Sequence, residues 1–327
     1  MRKMSRRSLV WILVVGLSLL LIVVCLFCWA WRVHSQDMAW EIVKHEKADI
    51  YLLEGWEAQV WRFSGPERVP IKVPLERVLL GHIAFASKDK GFISREKTLY
   101  RFSIGDNASV TEFKSFDNIS SLGPVAVSHD QSTVAVSFEG PPCFVSLLDV
   151  HTKREILRAD IVGRTITGLS FSPDDSNLLV DMVGEMATII DCRNGNQTNV
   201  DGGLQTKWVG NRLLGFARVH DGFLLFYLRD IDTGTIREVC NGGPNVSGWD
   251  WSPDGRYMVF GRLAMGATRL GIIPWPGPDL VLVDVAKGHT HPLGLIGVIG
   301  QQVVKPNAII WRQTDSEHET KSTPPPP

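Results

Sequence analysis

Cysteine is scarce in this chain, and the few cysteines form none of the common cysteine sites. Five occur among 327 residues. Two of them, Cys25 and Cys28, lie in an apolar N-terminal run, which leaves the odd set Cys143, Cys192 and Cys240. No Cys-x-x-Cys pair accompanies a second such pair or a His-x-x-x-His, so the sequence predicts neither a disulfide framework nor a zinc site.

The motifs that mark common active sites are missing as well. The sequence contains no Gly-x-Ser-x-Gly nucleophile elbow, no Gly-x-x-x-x-Gly-Lys phosphate loop and no His-Glu-x-x-His metal helix. We therefore predict no catalytic residues, no cofactor and no bound metal.

An excess of basic charge is also lacking. The chain has 34 basic and 35 acidic residues, and Arg2, Lys3, Arg6 and Arg7 all precede residue 32. The rest of the chain is therefore mildly acidic. Phosphate binding needs a basic stripe, so nucleic acid is not an expected partner.

The N-terminal segment has a composition typical of a membrane anchor. Ser8–Trp31 is a run of 24 residues without a charge, and basic residues precede it. Its length and the positive-inside rule predict a transmembrane signal-anchor helix over 8–31, with 1–7 in the cytoplasm and a linker over 32–40. The remainder would then be extracytoplasmic, either periplasmic or extracellular. A signal peptide cleaved near Val33–Ser35 is the competing interpretation.

A turn motif recurs along the chain at intervals of about 40 residues. Its clearest copy is Ser252-Pro253-Asp254-Gly255, within the strand–turn–strand segment Asp250–Phe260. Related segments place turn serines at Ser87, Ser128 and Ser172. With looser copies at Ile42–Leu53 and Lys207–Phe216, the spacing predicts six units.

A second sequence pattern recurs at the same interval as the turn motif. In four units an apolar strand ends in aspartate, a turn residue follows four positions later, and a further short strand begins after it. Each unit thus has four short strands, the pattern of a propeller blade. The aspartate and turn residue are Asp149 and Lys153, Asp191 and Gly195, Asp230 and Gly234, and Asp284 and Gly288.

These residues resemble the TolB-like and WD-repeat-like propellers, whose blades carry a Ser-Pro-Asp-Gly turn after the inner strand. Strand ends such as Leu148-Asp149 replace the Trp-Asp of a true WD repeat and favour the TolB-like branch. The resemblance implies an all-β fold over 41–313, a β-propeller of four-stranded blades, six in number with seven as the alternative. We expect the C-terminal strand Ala308–Trp311 to complete the first blade and residues 314–327 to be disordered.

The sixth unit is longer than the others, because it contains an insertion rich in glycine, proline and apolar residues. Long loops are often functional, and exposed apolar groups mark contact surfaces. We therefore predict non-catalytic binding of a protein or an envelope component. A propeller enzyme with a channel-lining site, of the lyase or quinone-dependent dehydrogenase type, and a scaffold of a membrane transport or secretion complex stay open. The predicted partner-binding residues are Met265, Ile272, Ile273 and Trp275.

Overall fold

The structure, a computed structural model, describes most of the chain, and each structural statement below refers to the described residues. Both the N-terminal residues 1–5 and the C-terminal residues 314–327 lie outside them. The described ranges are 6–46, 48–54, 60–63, 68–71, 82–87, 90–103, 109–162, 165–184, 186–244, 246–252, 254–262, 279–295, 298–299, 302–303 and 306–313.

One long helix precedes a series of β-strands. The helix, α1, spans Arg6–His45. The strands are β1 (Ala48–Glu54), β2 (Val60–Phe63), β3 (Arg68–Ile71), β4 (His82–Ser87), β5 (Lys90–Arg95), β6 (Thr98–Ser103), β7 (Ser109–Ser115), β8 (Ser121–Val127), β9 (Thr133–Glu139), β10 (Cys143–Asp149), β11 (Glu155–Ile161), β12 (Ile166–Phe171), β13 (Asn177–Met182), β14 (Met186–Asp191), β15 (Gln197–Asp201), β16 (Leu204–Val209), β17 (Leu213–His220), β18 (Phe223–Asp230), β19 (Ile236–Gly243), β20 (Val246–Trp251), β21 (Tyr257–Arg262), β22 (Asp279–Asp284), β23 (His289–Leu295), β24 (Val298–Ile299), β25 (Gln302–Val303) and β26 (Pro306–Gln313).

Five antiparallel sheets are each built from four consecutive strands, and we call them blades 1 to 5. Blade 1 is β4–β7, blade 2 is β8–β11, blade 3 is β12–β15, blade 4 is β16–β19 and blade 5 is β20–β23. The first three strands of each blade are largely apolar and buried, whereas fourth strands such as β11 and β15 are mostly exposed. Because the fourth strand is more exposed than the first three, it lies at the outer edge of its blade.

The chain ends share a further four-stranded sheet, in the order β26-β1-β2-β3. Here Ile50 pairs with Trp311 in an antiparallel register, so the expected pairing of the C-terminal strand with the first unit is confirmed. The predicted count of six blades, or alternatively seven, is corrected to five four-stranded blades of consecutive strands. The physical reason is that the first unit supplies only three strands, β1 to β3, to the sheet that it shares with β26.

Neighbouring blades contact each other through their first strands, so these strands are the innermost ones of a β-propeller. Strand β4 packs on β8, β8 on β12, β12 on β16, and β20 on β26. Between blades 4 and 5, Lys207 Nζ on β16 donates to Asp250 Oδ1 on β20 at 2.8 Å. The order of the blades around the propeller therefore follows the order of the chain.

The apolar core lies between the blades rather than in one central cluster. Between blades 4 and 5, Phe226 contacts Trp249 edge to face at a centroid distance of 5.4 Å, and Phe260 lies at the same distance. A Cβ on Gly215 would lie 2.4 Å from Trp251 Cε2, so glycine is required where this indole crosses blade 4. Similar clusters join blades 1 and 2, blades 2 and 3, and blades 3 and 4.

Both sequence signatures form the turns that they predicted. In the first, Ser252 Oγ donates to Asp254 Oδ1 at 2.7 Å, and Gly255 closes the turn with a φ of 71°. In the second, the backbone N–H of the turn residue donates to the carbonyl of the strand-ending aspartate at 2.8–2.9 Å in all four units. These aspartates fix backbone geometry, as aspartates do in turns.

The N-terminal segment differs from the prediction. Among the residues that the structure describes, no helix is both long and apolar enough to cross a membrane. The predicted transmembrane helix over 8–31 is corrected accordingly. Helix α1 continues through residues 32–40, where the sequence predicts a linker, and its last turns pack on blade 5. There Ala39 and Val43 are fully buried against Val259 and Leu282.

Candidate functional site

The four predicted partner-binding residues, Met265, Ile272, Ile273 and Trp275, lie outside the described residues. They belong to the connection between β21 and β22 of blade 5. In an antiparallel blade, the second-to-third connection and the blade-to-blade connection leave from one end, which we call the upper face. The two other turns, with the serine and aspartate signatures, leave from the opposite end, the lower face. The last described residue before them, Arg262, ends β21 at the upper face.

The innermost strands carry few charged side chains within the described residues. These charged or titratable residues are His82 on β4, Lys207 on β16 and Asp250 on β20. Lys207 and Asp250 neutralise each other, and burial lowers the pKa of His82. Across the described part of the chain, no three His, Cys, Asp or Glu side chains are grouped so as to hold a metal ion. A channel-lining enzyme therefore gains no support from these strands.

One buried carboxyl lies between blades 3 and 4. Asp181 on β13 is 1% exposed, and Thr167 Oγ1 donates to its Oδ2 at 2.7 Å. Its Oδ1 is buried without a hydrogen-bond partner among the described residues. Burial raises the pKa of Asp181, although the Thr167 hydrogen bond and the charge of Lys207 oppose the rise. The raised pKa of Asp181 is therefore a consequence of its burial in the packing between the blades.

A cleft of about 410 Å³ opens at the upper face where blades 1 and 2 meet. On one side lies the connection 116–120 between the two blades, and on the other the 140–142 connection of blade 2, including Pro141 and Pro142. The floor is aromatic. We call it the aromatic cleft, formed by Phe116, Phe138, Phe144 and Arg158.

The aromatic cleft is built from a continuous stack of planar groups. The Phe116 ring meets Phe138 edge to face at 5.0 Å between centroids, and Phe138 stacks on Phe144 at 4.2 Å. The Arg158 guanidinium lies over the Phe144 ring, 3.6 Å from its centroid. Phe138 is buried, whereas Phe116 and Phe144 are half-buried and face the opening. The stack holds these exposed ring surfaces in fixed positions.

Carboxylates surround the rings. Glu139 accepts a hydrogen bond from Ser121 Oγ at 2.6 Å, and Glu155 accepts one from Ser146 Oγ at the same distance. Asp117 is exposed at the mouth of the cleft. Among the residues that line the cleft, Arg158 is the one cation. The cleft is thus apolar at its base and has more acidic than basic groups at its rim.

The sequence prediction missed the aromatic cleft. Phe138 and Phe144 end one strand and begin the next, where alternating aromatics equally indicate a blade core. The one local signal is the Gly140-Pro141-Pro142 connection, in which two of the three residues are proline.

Comparisons with known proteins support the fold. No protein-family model and no curated protein matches this chain. Among solved structures, TolB from Acinetobacter baumannii matches with a TM-score of 0.57 and 13% identity, over 81% of this chain and 66% of TolB. A protein of unknown function from Bacteroides caccae matches with a TM-score of 0.52 and 12% identity, over 81% of this chain and 98% of that protein.

Kuenenia stuttgartiensis hydrazine synthase gives a TM-score of 0.48 at 18% identity, over 65% of each chain. The matched region is thus less than two thirds of both the TolB and the hydrazine synthase chains. At these identities the likeness to TolB shows the fold alone, a TolB-like β-propeller.

Proposed function

We propose that this protein is a non-catalytic β-propeller that binds another protein through the aromatic cleft. The observation that carries the proposal is the Phe116–Phe138–Phe144 stack under Arg158, open to solvent at the upper face. The propeller fold is compatible with binding and scaffold roles, and connections on a rigid framework commonly carry such sites.

The size and lining of the cleft support an inserted side chain as the anchor. A volume of about 410 Å³ is within the range of about 300–1,000 Å³ that is typical of binding pockets. Binding energy at protein interfaces concentrates in pockets that bury aromatic and arginine anchors. Arg158, which is exposed, and Phe144, whose ring is half-buried at the cleft, would contribute such anchors.

Charge indicates the chemistry of the partner. Asp117, Glu139 and Glu155 outnumber Arg158 around the opening. A segment that places an apolar side chain in the cleft and a lysine or arginine beside it would match both the floor and the rim. We therefore propose a partner segment with an apolar anchor flanked by basic residues.

The connection 263–278 remains a proposed second contact on the same face. Its residues Met265, Ile272, Ile273 and Trp275 follow Arg262, where β21 ends at the upper face. Replacing Ile272, Ile273 and Trp275 with serine should weaken partner binding if this connection contributes. Unchanged affinity would restrict the binding surface to the aromatic cleft.

Two substitutions test the cleft itself. Phe144→Ala removes a ring from the stack, and Arg158→Glu reverses the charge at the rim. Each should weaken partner binding about tenfold or more, as truncated interface anchors do. Arg193→Glu provides a matched charge reversal on an exposed lower-face turn and should leave binding unchanged. Equal binding by all three variants, with folding verified by circular dichroism, would contradict the proposal.

The extracytoplasmic location, periplasmic or extracellular, is also a proposal. It rests on the uncharged run 8–31 behind four basic residues, a pattern found in exported proteins. A C-terminal alkaline phosphatase fusion tests the location in a bacterial host, because that enzyme needs its disulfides to be active. Activity in intact cells is the expected result, and an inactive but stable fusion would contradict it.

A further inference from the structure

A second cavity, of about 360 Å³, lies on the lower face between blades 1 and 2. Blade 1 contributes Lys90 on β5 and Arg101 on β6, and blade 2 contributes Gln131 and His151 from its two lower-face turns. These polar and cationic groups border the cavity together with Asp130 and the apolar Ala86, Phe92 and Val150.

Lys90 and Arg101 project from the same face of blade 1. Arg101 pairs with Phe92, which lies two residues from Lys90 along β5, so the two cations are diagonal neighbours. Both side chains are exposed. Within the described residues, neither forms a hydrogen bond or an ion pair through its side chain. Two like charges are thus held close together, and Asp130 is the carboxylate that lines the cavity with them.

Further cations continue this surface across blade 2. Lys114 Nζ on β7 donates to the Lys153 carbonyl at 2.9 Å, which fixes the two residues next to each other. Lys153 Nζ lies 5.3 Å from the centroid of Phe113. Arg154 follows in the same turn and is exposed. We call the whole surface the cationic groove: Lys90, Arg101, Lys114, His151, Lys153 and Arg154.

The carboxylates nearest to this surface are already used by their own turns. Asp130 accepts hydrogen bonds from Ser128 Oγ at 2.6 Å and from Ser132, which lower its pKa. Asp149 accepts from the Thr152 backbone and hydroxyl, and its pKa is lowered for that reason. Asp130 and Asp149 are therefore engaged within their own turns, beside a surface that carries five lysine and arginine side chains in a chain whose remainder is mildly acidic.

We propose that the cationic groove binds an acidic segment of a partner protein. The cations are spread over two blades, which suits an extended chain with several carboxylates better than one small anion. The acidic remainder of the chain disfavours a long polyanion such as nucleic acid, which would extend beyond the groove. This surface is a second proposed site: its cavity opens at the lower face, although Lys114 Nζ also lies 5.3 Å from the centroid of Phe116 at the edge of the aromatic cleft.

The test measures fluorescence anisotropy of the full chain with a labelled decapeptide of alternating glutamate and glycine. Binding should be detectable in 50 mM NaCl and weaken in 200 mM NaCl, because exposed charges are screened. The double variant Lys90→Glu/Arg101→Glu should reduce affinity about tenfold or more. Lys90→Gln/Arg101→Gln should reduce the affinity by an intermediate amount. This result distinguishes an effect of charge from misfolding.

A matched control makes the same change in net charge elsewhere. Lys97→Glu/Arg193→Glu alters two exposed cations in other turns and should leave peptide affinity within about twofold of the original, since distant exposed charges are screened. Phe144→Ala should also leave it unchanged, so failure here is distinguishable from failure of the aromatic cleft. An equal loss in the control, or tighter binding of a labelled twelve-nucleotide DNA strand, would overturn the proposal.

Discussion

Asp175 of blade 3 holds the neighbouring turn of blade 2 with its carboxylate. The His129 backbone N–H donates to Oδ1 at 2.7 Å, and His129 Nδ1 lies 2.9 Å from the same oxygen. The Asp130 backbone N–H donates to Oδ2 at 3.0 Å. The turn motif that marks each blade in the sequence therefore also joins two adjacent blades.

This contact predicts opposite effects at two equivalent turn positions. Asp175 has a φ of 57° and Gln131 in the preceding blade a φ of 62°, both in the left-handed region that favours glycine. Gln131→Gly should raise the free energy of unfolding by about 0.5–1 kcal/mol by relieving strain. Asp175→Gly relieves the same strain but loses the inter-blade bonds, so it should lower that free energy by about 1–2 kcal/mol. Urea denaturation that gives both variants the same change would contradict the role of Asp175.

Asp181 should make stability depend on pH. Its folded-state pKa is raised by burial, so the folded protein holds this proton more tightly than the unfolded chain does. The stability that the protonated Asp181 contributes is fully present at pH values below the ordinary carboxyl pKa of about 3.9. It is lost as the pH rises through the folded-state pKa. Asp181→Asn should therefore be more stable than the original protein at pH 8, and this advantage should shrink as pH falls. A constant difference between pH 4 and pH 8 would contradict the assignment.

Two cysteines should be unreactive in the folded protein. Burial raises the pKa of Cys192 and of Cys240 to about 12 in each case. The thiolate is the reactive form, so almost none is present at pH 8. Iodoacetamide at pH 8 should leave both unmodified by mass spectrometry and modify both in 6 M guanidinium chloride. Rapid modification of either one in the folded protein would show that its surroundings are more open.

The end of α1 should be held to blade 5 by polar contacts as well as by apolar packing. Trp40 Nε1 donates to the Leu293 carbonyl at 2.8 Å, and the buried Glu46 carboxylate pairs with Arg256 at 2.7 Å. Glu46→Ala should speed hydrogen exchange across the last turns of the helix, because Arg256 then loses its partner on the helix. Glu41→Ala is the matched control, since Glu41 is 74% exposed and lies 3.8 Å from Lys44. Equal exchange in both variants would contradict the contact.

The repeating part of the fold could be predicted from the sequence because its signal is local. Each serine turn and each strand-ending aspartate bonds within a few residues, so the motifs are recognisable in most of the blades. The helix contact could not be predicted in this way, because Ala39 and Val43 pack on residues more than 200 positions away. An uncharged run has the same appearance in the sequence whether or not its helix continues into a packed segment.

The aromatic cleft and the cationic groove were missed for a similar reason. Phe116 comes from the connection between blades 1 and 2 and Phe138 from blade 2, and each alone fits a core position. Lys90 and Arg101 line one cavity with His151 only when the two blades are side by side. Overall charge balance conceals such a surface, since 34 basic and 35 acidic residues give no indication of local separation.

The most direct test of the central claim is a selection from a displayed random-peptide library on the full chain, in parallel with Phe144→Ala. The proposed function predicts enriched peptides with an apolar anchor beside lysine or arginine, and their binding should be lost on the Phe144→Ala protein. Peptides that bind both proteins equally, or a selection that enriches no apolar anchor, would contradict binding at the aromatic cleft.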